Sequence, residues 1–296
     1  MQLIDRLRRV APSRADAARR WERRLPLVPQ GDRITKIVHQ TYPTRELPAV
    51  LEQGLQQERD RNPAWDFRLY SDADIELFIG RDYGDEVLAL YRRIRPDYGA
   101  ARADLFRYLV VYKLGGAYLD IKSRFTRPID SVIEGSEGFI VAQWRNAPGE
   151  EHEGMGILPD LQDVPGGEYQ QWHVIAAPGH PFLRAVLIDV LSGIECYSPW
   201  RTSVGRIGVV RLTGPIAYTR AIHPILARHP HRFYRTDSEV ALQYSGYPRS
   251  ALFRSTHYSE LTQPIVRRGI ASALSDRLFR VALAAKRRLR GAGDQR

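Results

Sequence analysis

A helix-length periodic stretch that halts at two adjacent glycines and resumes as a strand ending in an acid constrains this chain most. Ala101, Leu105, Tyr108, Leu109 and Tyr112 recur at helical spacing, which predicts a helix over residues 100–114. Gly115 and Gly116 supply its C-terminal stop. Ala117-Tyr118-Leu119-Asp120-Ile121 follows at once as an apolar strand with a carboxylate near its C-terminal end. In open α/β sheets, ligands gather beyond the carboxyl ends of strands. Asp120 therefore stands where chemistry is expected.

The rest of the chain repeats the alternation. Strands are predicted at residues 36–40, 66–70, 138–144 and 173–177. Helices are predicted at 48–61, 85–93, 181–194 and 215–228. Asp72 is the expected cap of a helix after the second strand, and Pro181 fits a first helical turn. Residues 150–167, rich in acids, Gly and Pro, read as a mobile loop. The fold class is α/β, a largely parallel sheet with helices on its faces. No internal repeat or linker divides the chain. One body over 34–266 is expected, with a basic helical extension over 1–33 and a basic amphipathic helix over 267–296.

The charge sits at those two ends. Residues 1–33 carry nine Arg and four acids, and residues 267–296 carry nine Lys/Arg and two acids. These ends contribute +5 and +7, so residues 34–266 total −2 of the overall +10. A near-neutral body argues against a nucleic-acid partner, and basic ends suit an anionic membrane surface. Leu274, Leu278, Val281, Ala285 and Leu289 form one side of the C-terminal helix. No stretch is apolar enough to cross a bilayer, and no secretory leader is visible. The single cysteine, Cys196, reads as a small buried apolar residue. A cytoplasmic protein, peripheral on the inner membrane face, is the expectation.

Asp104 and Arg107 lie three apart and share a helix face. By themselves they read equally as a surface ion pair, worth a few tenths of a kcal/mol, or as groups aimed into the volume beyond Asp120. Residues 36–40 (KIVHQ), 103–107 (ADLFR), 115–120 (GGAYLD) and 179–182 (GHPF), taken in order, decide between these. Together they resemble glycosyltransferase family 32, whose sugar-binding region carries a DxD motif. The resemblance spans about residues 34–260 and is strongest over 98–123.

That resemblance implies a GT-A-type, Rossmann-like mixed and largely parallel sheet flanked by helices. It implies a nucleotide-sugar donor, a saccharide or lipid-linked acceptor, and retention at the transferred hexose, in surface polysaccharide or glycan synthesis. Asp104 would accept hydrogen bonds from sugar or ribose hydroxyls, and Arg107 would meet the donor sugar or a phosphate. His39, Gln40 and Tyr118 are expected on the donor side. Thr213-Gly214-Pro215 is either a turn bringing the Gly214 backbone to the ligand or a plain helix entry. Gln171, Trp172 and His173 are expected on the acceptor side, with the indole either a platform for a sugar ring or, as strand aromatics more often are, part of the core.

The DxD motif reads Asp120-Ile121-Lys122. An ammonium replaces the second carboxylate, and strand alternation would place both side chains on one face. Two explanations compete. Asp120 binds Mn²⁺ or Mg²⁺, helped by His257 and the donor diphosphate. Alternatively, Lys122 stands in for part of the metal's charge. A protein that binds nucleotide-sugar or glycan without turnover is the alternative to an enzyme.

Overall fold

The computed structural model describes residues 13–133, 137–235, 239–244, 258–269 and 272–293. Its elements run α1 (Arg14–Arg24), β1 (Ile37–Thr41), α2 (Ala49–Arg61), β2 (Asp66–Tyr70), α3 (Asp72–Arg93), α4 (Gly99–Leu114), β3 (Gly116–Leu119), β4 (Arg124–Phe125) and β5 (Phe139–Ala142). Then follow β6 (His173–Ala176), α5 (Pro181–Glu195), α6 (Pro199–Thr202), α7 (Gly205–Leu212), α8 (Pro215–Ile222), β7 (Arg232–Tyr234), β8 (Leu242–Gln243) and α9 (Ala273–Gly293).

Six strands form one sheet in the order β2-β1-β3-β6-β5-β7. β1 is parallel to β2 and β3, and β5 is parallel to β7. Only β6 runs against its neighbours. The expected mixed, largely parallel sheet flanked by helices is the one observed. β4 and β8 pair separately as a small antiparallel ribbon.

Alternation along β3 explains how both faces are covered. Tyr118 joins an apolar cluster with α1, α3, α4, α5, α7 and α8, while Ala117 and Leu119 join a second cluster with Trp65, Phe125 and Trp172. α4 is buried on almost every side, Phe106, Val110 and Val111 as completely as the predicted stripe. Its stop is sterically enforced. Gly115 and Gly116 have φ of 67° and 97°, and a Cβ on Gly116 would lie 2.4 Å from the Ile37 carbonyl oxygen.

Several expectations are corrected. The cap of α3 is Ser71, which forms a reciprocal box with Asp74, so Asp72 is its first helical residue. The two helices expected after the second strand and over residues 85–93 are both present, joined into α3 across a kink at Gly84, where φ is 79°. Residues 150–167 are a loop, but a packed one. Leu161 and Val164 are buried, and Asp160 binds Arg211 at 2.9 Å. The N-terminal segment, from Arg14 onward, is docked. Trp21 is buried and donates to Glu195 at 2.9 Å, and Arg14 binds Asp189 at 2.8 Å. On α9 the described part of the apolar stripe faces solvent. Phe279 is its buried residue, while Leu278 and Val281 are exposed. Among the described residues, no helix is long and apolar enough to cross a membrane.

Candidate functional site

The site begins where β3 ends. β3 stops at Leu119, and Asp120 opens a turn closed by Ser123 N donating to Asp120 O at 2.8 Å. Asp120 N also donates to Trp172 O at 2.9 Å, which ties this end to the start of β6. Above it, one turn of α4 presents Asp104 and Arg107. Arg107 Nη2 lies 3.1 Å from Asp104 Oδ1 and 2.8 Å from Asp120 Oδ1. The three groups expected to converge do so, around one guanidinium.

The remaining bonds fix this cluster in place. Arg107 Nη1 donates to the backbone and side-chain oxygens of Gln171 at 2.5 and 2.6 Å. Thr213 Oγ1 donates to Asp104 Oδ2 at 2.8 Å, and Gln171 Nε2 donates to Asp104 Oδ1 at 3.3 Å. The Tyr118 ring lies under the Arg107 guanidinium, 4.7 Å from its carbon.

Exposure separates the three. The side chains of Asp104 and Arg107 are 4% and 3% exposed, and that of Asp120 is 23% exposed. Asp120 is therefore the member of the cluster open to solvent, and the pair beneath holds it. Burial raises the Asp104 pKa, opposed by Arg107, Thr213 and Gln171. Burial also works against the Arg107 charge, but Asp120 and Asp104 outweigh it and keep the guanidinium charged. One cation between two carboxylates leaves the cluster with a net negative charge open to solvent at Asp120.

Lys122 departs from the expected placement. The chain turns after Leu119, so strand alternation does not apply. Lys122 Nζ donates to Tyr244 Oη at 2.9 Å. Ser123 Oγ donates to Tyr244 O at 2.6 Å, so both residues after the Asp-Ile step are tied to the end of β8. The Tyr244 ring in turn lies 5.1 Å from that of Trp172. Trp172 is only 5% exposed and belongs to the second core cluster, so its faces are covered rather than open to a sugar.

The other expected donor and acceptor residues make contacts within the protein. His39 is fully buried, between Gly115 O at 2.9 Å and the Tyr70 hydroxyl at 3.1 Å. Burial pushes its pKa down to about 4. Gln40 and Tyr118 are buried, with Tyr118 Oη 3.0 Å from Thr41 Oγ1. His173 is buried against Trp172, and Gln171 belongs to the Arg107 cluster. Gly214 caps α8, and a Cβ there would lie 2.8 Å from the Val210 Cα, so its bareness serves helix packing. His257 lies outside the described residues.

Thr213, Tyr244 and Tyr258 escaped sequence reasoning as site residues. Tyr258, half-buried beside the main core, has its pKa raised to about 12 by burial, then by Asp104, with a smaller push from Asp120. Thr213 lay in plain view beside Gly214. Tyr244 carries no local signal, because its place depends on the β4–β8 pairing.

The donor set for a cation is thin. Asp104 is fully engaged, Lys122 has replaced the second acid, and no group of three His, Cys, Asp or Glu among the described residues is placed to hold a metal. The described residues offer Asp120 alone, which does not make a metal centre.

Comparison with known proteins fits this geometry. Residues 50–139 match the model of a glycosyltransferase sugar-binding region containing a DXD motif. A mannosyl phosphorylinositol ceramide synthase of Saccharomyces cerevisiae is 30% identical over 62% of this chain and 42% of its own. An inositol phosphoceramide mannosyltransferase of Schizosaccharomyces pombe is 34% identical over 35% of this chain and 28% of its own. An initiation-specific alpha-1,6-mannosyltransferase of Candida albicans is 30% identical over 44% of this chain and 34% of its own. The matched stretches thus span under half the length of these relatives. Among solved structures, PaToxG glycosyltransferase is similar with a TM-score of 0.46 and 14% identity, over 72% of this chain and 76% of that one. The chain is thus similar to DXD-type glycosyltransferases of the family 32 kind, with the family-model match confined to residues 50–139.

Proposed function

We propose that this chain is a hexosyltransferase that moves a sugar, mannose first among the candidates, from a nucleotide-sugar donor to a saccharide or lipid-linked saccharide. The likeness to mannosyltransferases supports mannose. One observation carries the reading. A part-exposed carboxylate, Asp120, stands beyond a strand end and is fixed there by the buried Arg107.

In the proposed reaction, an acceptor hydroxyl oxygen bonds to C1 of the donor sugar as the C1–oxygen bond to the diphosphate breaks. The leaving phosphate takes the acceptor proton. Attack and departure on one face retain the anomeric configuration. Asp120 orients the sugar through its hydroxyls. Lys122 turns from Tyr244 to the diphosphate, whose growing charge it stabilises in place of the missing second carboxylate's cation. Asp104 and Arg107 act first by fixing Asp120. Ligand oxygens that displace Gln171 from Arg107 Nη1 give the guanidinium its own donor contact. A lone, buried cysteine supports a cytoplasmic setting, and surface-glycan synthesis is the proposed role.

The test is donor turnover with UDP-, GDP- and CMP-sugars, each with and without Mn²⁺. A true donor raises the melting temperature, because it binds only the folded chain. Asp120→Ala is expected to lower turnover by roughly a thousandfold. Unchanged turnover in Asp120→Ala ends the proposal. The replacement of the second acid by Lys122 favours one other reading, a binding protein. Donor binding without transfer, across a wide acceptor panel, would select it.

A further inference from the structure

The C-terminal helix has two apolar sides, and only one of them is used by the fold. On α9, Phe279 is buried and meets the Trp200 ring edge-on at 5.2 Å, and Trp200 Nε1 donates to Ser275 Oγ at 3.2 Å. Ser275 and Phe279, four apart, are the docked face. Leu278 and Val281, three apart, share another face, because each residue advances the helix by about 100°. They are 56% and 64% exposed, and Trp200 is 53% exposed. Leu278 and Val281 thus form an outward apolar strip on a helix already anchored by its own phenylalanine, and the part-exposed indole of Trp200 lies at the docked face.

The charge beside this strip is of one sign. Arg277 and Arg280 are exposed on α9, and its first-turn acid, Asp276, is paired to Arg268. Residues 277–293 carry six Lys/Arg and no acid. The residue after Trp200, Arg201, lines a pocket of about 310 Å³ with Arg14, Arg211 and Arg220, four arginines met by two carboxylates, Asp160 and the Asp189 that pairs with Arg14. A second copy of this chain would bring two strongly basic helices together, which charge repulsion opposes. Nucleic acid would satisfy the arginines and leave the apolar strip in water. An anionic lipid surface satisfies both.

We propose that α9 seats this protein on an anionic membrane surface. Leu278 and Val281 enter the interface, and the flanking arginines meet lipid phosphates. This does not depend on sugar transfer, since it needs neither donor nor acceptor.

The experiment is co-sedimentation of the full chain, without donor, with vesicles of phosphatidylcholine alone or with added phosphatidylglycerol. Binding is expected to the anionic vesicles only, and to weaken as salt rises. Leu278→Glu with Val281→Glu is expected to lower vesicle affinity by about tenfold or more, from the lost apolar transfer. Both positions are exposed, so the melting temperature and any donor turnover should stay unchanged. Arg277→Glu with Arg280→Glu tests the charge separately and should weaken anionic binding while leaving the apolar strip intact. Equal binding to both vesicle types, no binding of the unmodified chain, or affinity unchanged in the Leu278/Val281 variant overturns the proposal. So does a dimer of the unmodified chain that this variant dissolves, because the strip would then be a self-association surface.

Discussion

The same four-residue pattern, Asp-x-x-Arg, occurs in α1 as Asp16 to Arg19 and in α4 as Asp104 to Arg107, and the two have opposite fates. In α1 the pair closes at 2.5 Å with side chains 63% and 57% exposed. In α4 it closes at 3.1 Å with side chains 3% and 4% exposed. The residues between explain the difference. Leu105 and Phe106 sink into the core and carry their neighbours with them, because α4 is packed all round. α1 buries only Ala17 and Trp21, and the face that carries Asp16 and Arg19 stays in water. Spacing brings the charges together, and burial decides what the contact is worth.

The largest expected effect tests the buried member. Arg107→Ala strips the cation from two carboxylates, one of them wholly buried. It should cost about 3–5 kcal/mol of stability in urea unfolding. Arg107→Lys should recover little of this, since separate nitrogens serve Gln171 and the carboxylates and a single ammonium lacks that fork. A loss no larger than that of a surface arginine would break the comparison.

Acid sharpens the contrast next. His173 lies close enough for Arg107 to act on it, and burial first, then Arg107, brings its pKa down to about 3. Its folded value is below the unfolded one, so the stability it contributes is complete above the ordinary histidine range. That stability is lost as pH falls toward the folded value. Between about pH 6.5 and 4.5 the loss should be on the order of 2–3 kcal/mol, seen as a falling urea midpoint. His173→Gln should flatten this slope. An unchanged slope means the imidazole is not held neutral beside the cluster. His39 and His180, both brought down to about 4 by burial, supply a residual slope that the variant keeps.

A smaller effect isolates one hydrogen bond. Thr213→Val keeps the shape but removes the hydroxyl that donates to Asp104 Oδ2 at 2.8 Å. About 1–2 kcal/mol should be lost in the same unfolding measurement. No loss would mean that Asp104 finds its donors elsewhere, and that α7 does not brace the site.

What the sequence made legible follows from the range of each interaction. The α4 helix, its glycine stop and β3 are set by neighbours in the chain, so periodicity and the two glycines sufficed. The convergence of Asp104, Arg107 and Asp120 was expected from the family resemblance, since spacing alone left a surface ion pair open. Lys122 was misplaced because alternation was carried past the end of β3, where the Asp120–Ser123 turn rotates the chain. Trp172 and His39 belong to core layers whose covering residues, Tyr244 and Tyr70, come from distant segments. Sequence spacing holds no record of those contacts. On α9, the repeat found an apolar stripe but not which side would dock, since Trp200 lies far away in the chain.

The exposed pair supplies the smallest prediction and the control for the first. Arg19 ion-pairs with Asp16 alone, and Asp16 is also held by the Ser13 hydroxyl at 2.6 Å. That hydroxyl first, and Arg19 second, lower the Asp16 pKa. Water already screens both charges, and fixing two mobile side chains offsets most of their attraction. Arg19→Ala should therefore move the melting temperature by less than about 2 °C, and raised salt should erase even that. The Asp104–Arg107 pair, shielded from ions by the core, should keep its coupling in the same salt. If salt weakens both pairs alike, solvent reaches α4 as freely as α1, and the cluster is a surface feature rather than the fixed floor of a site.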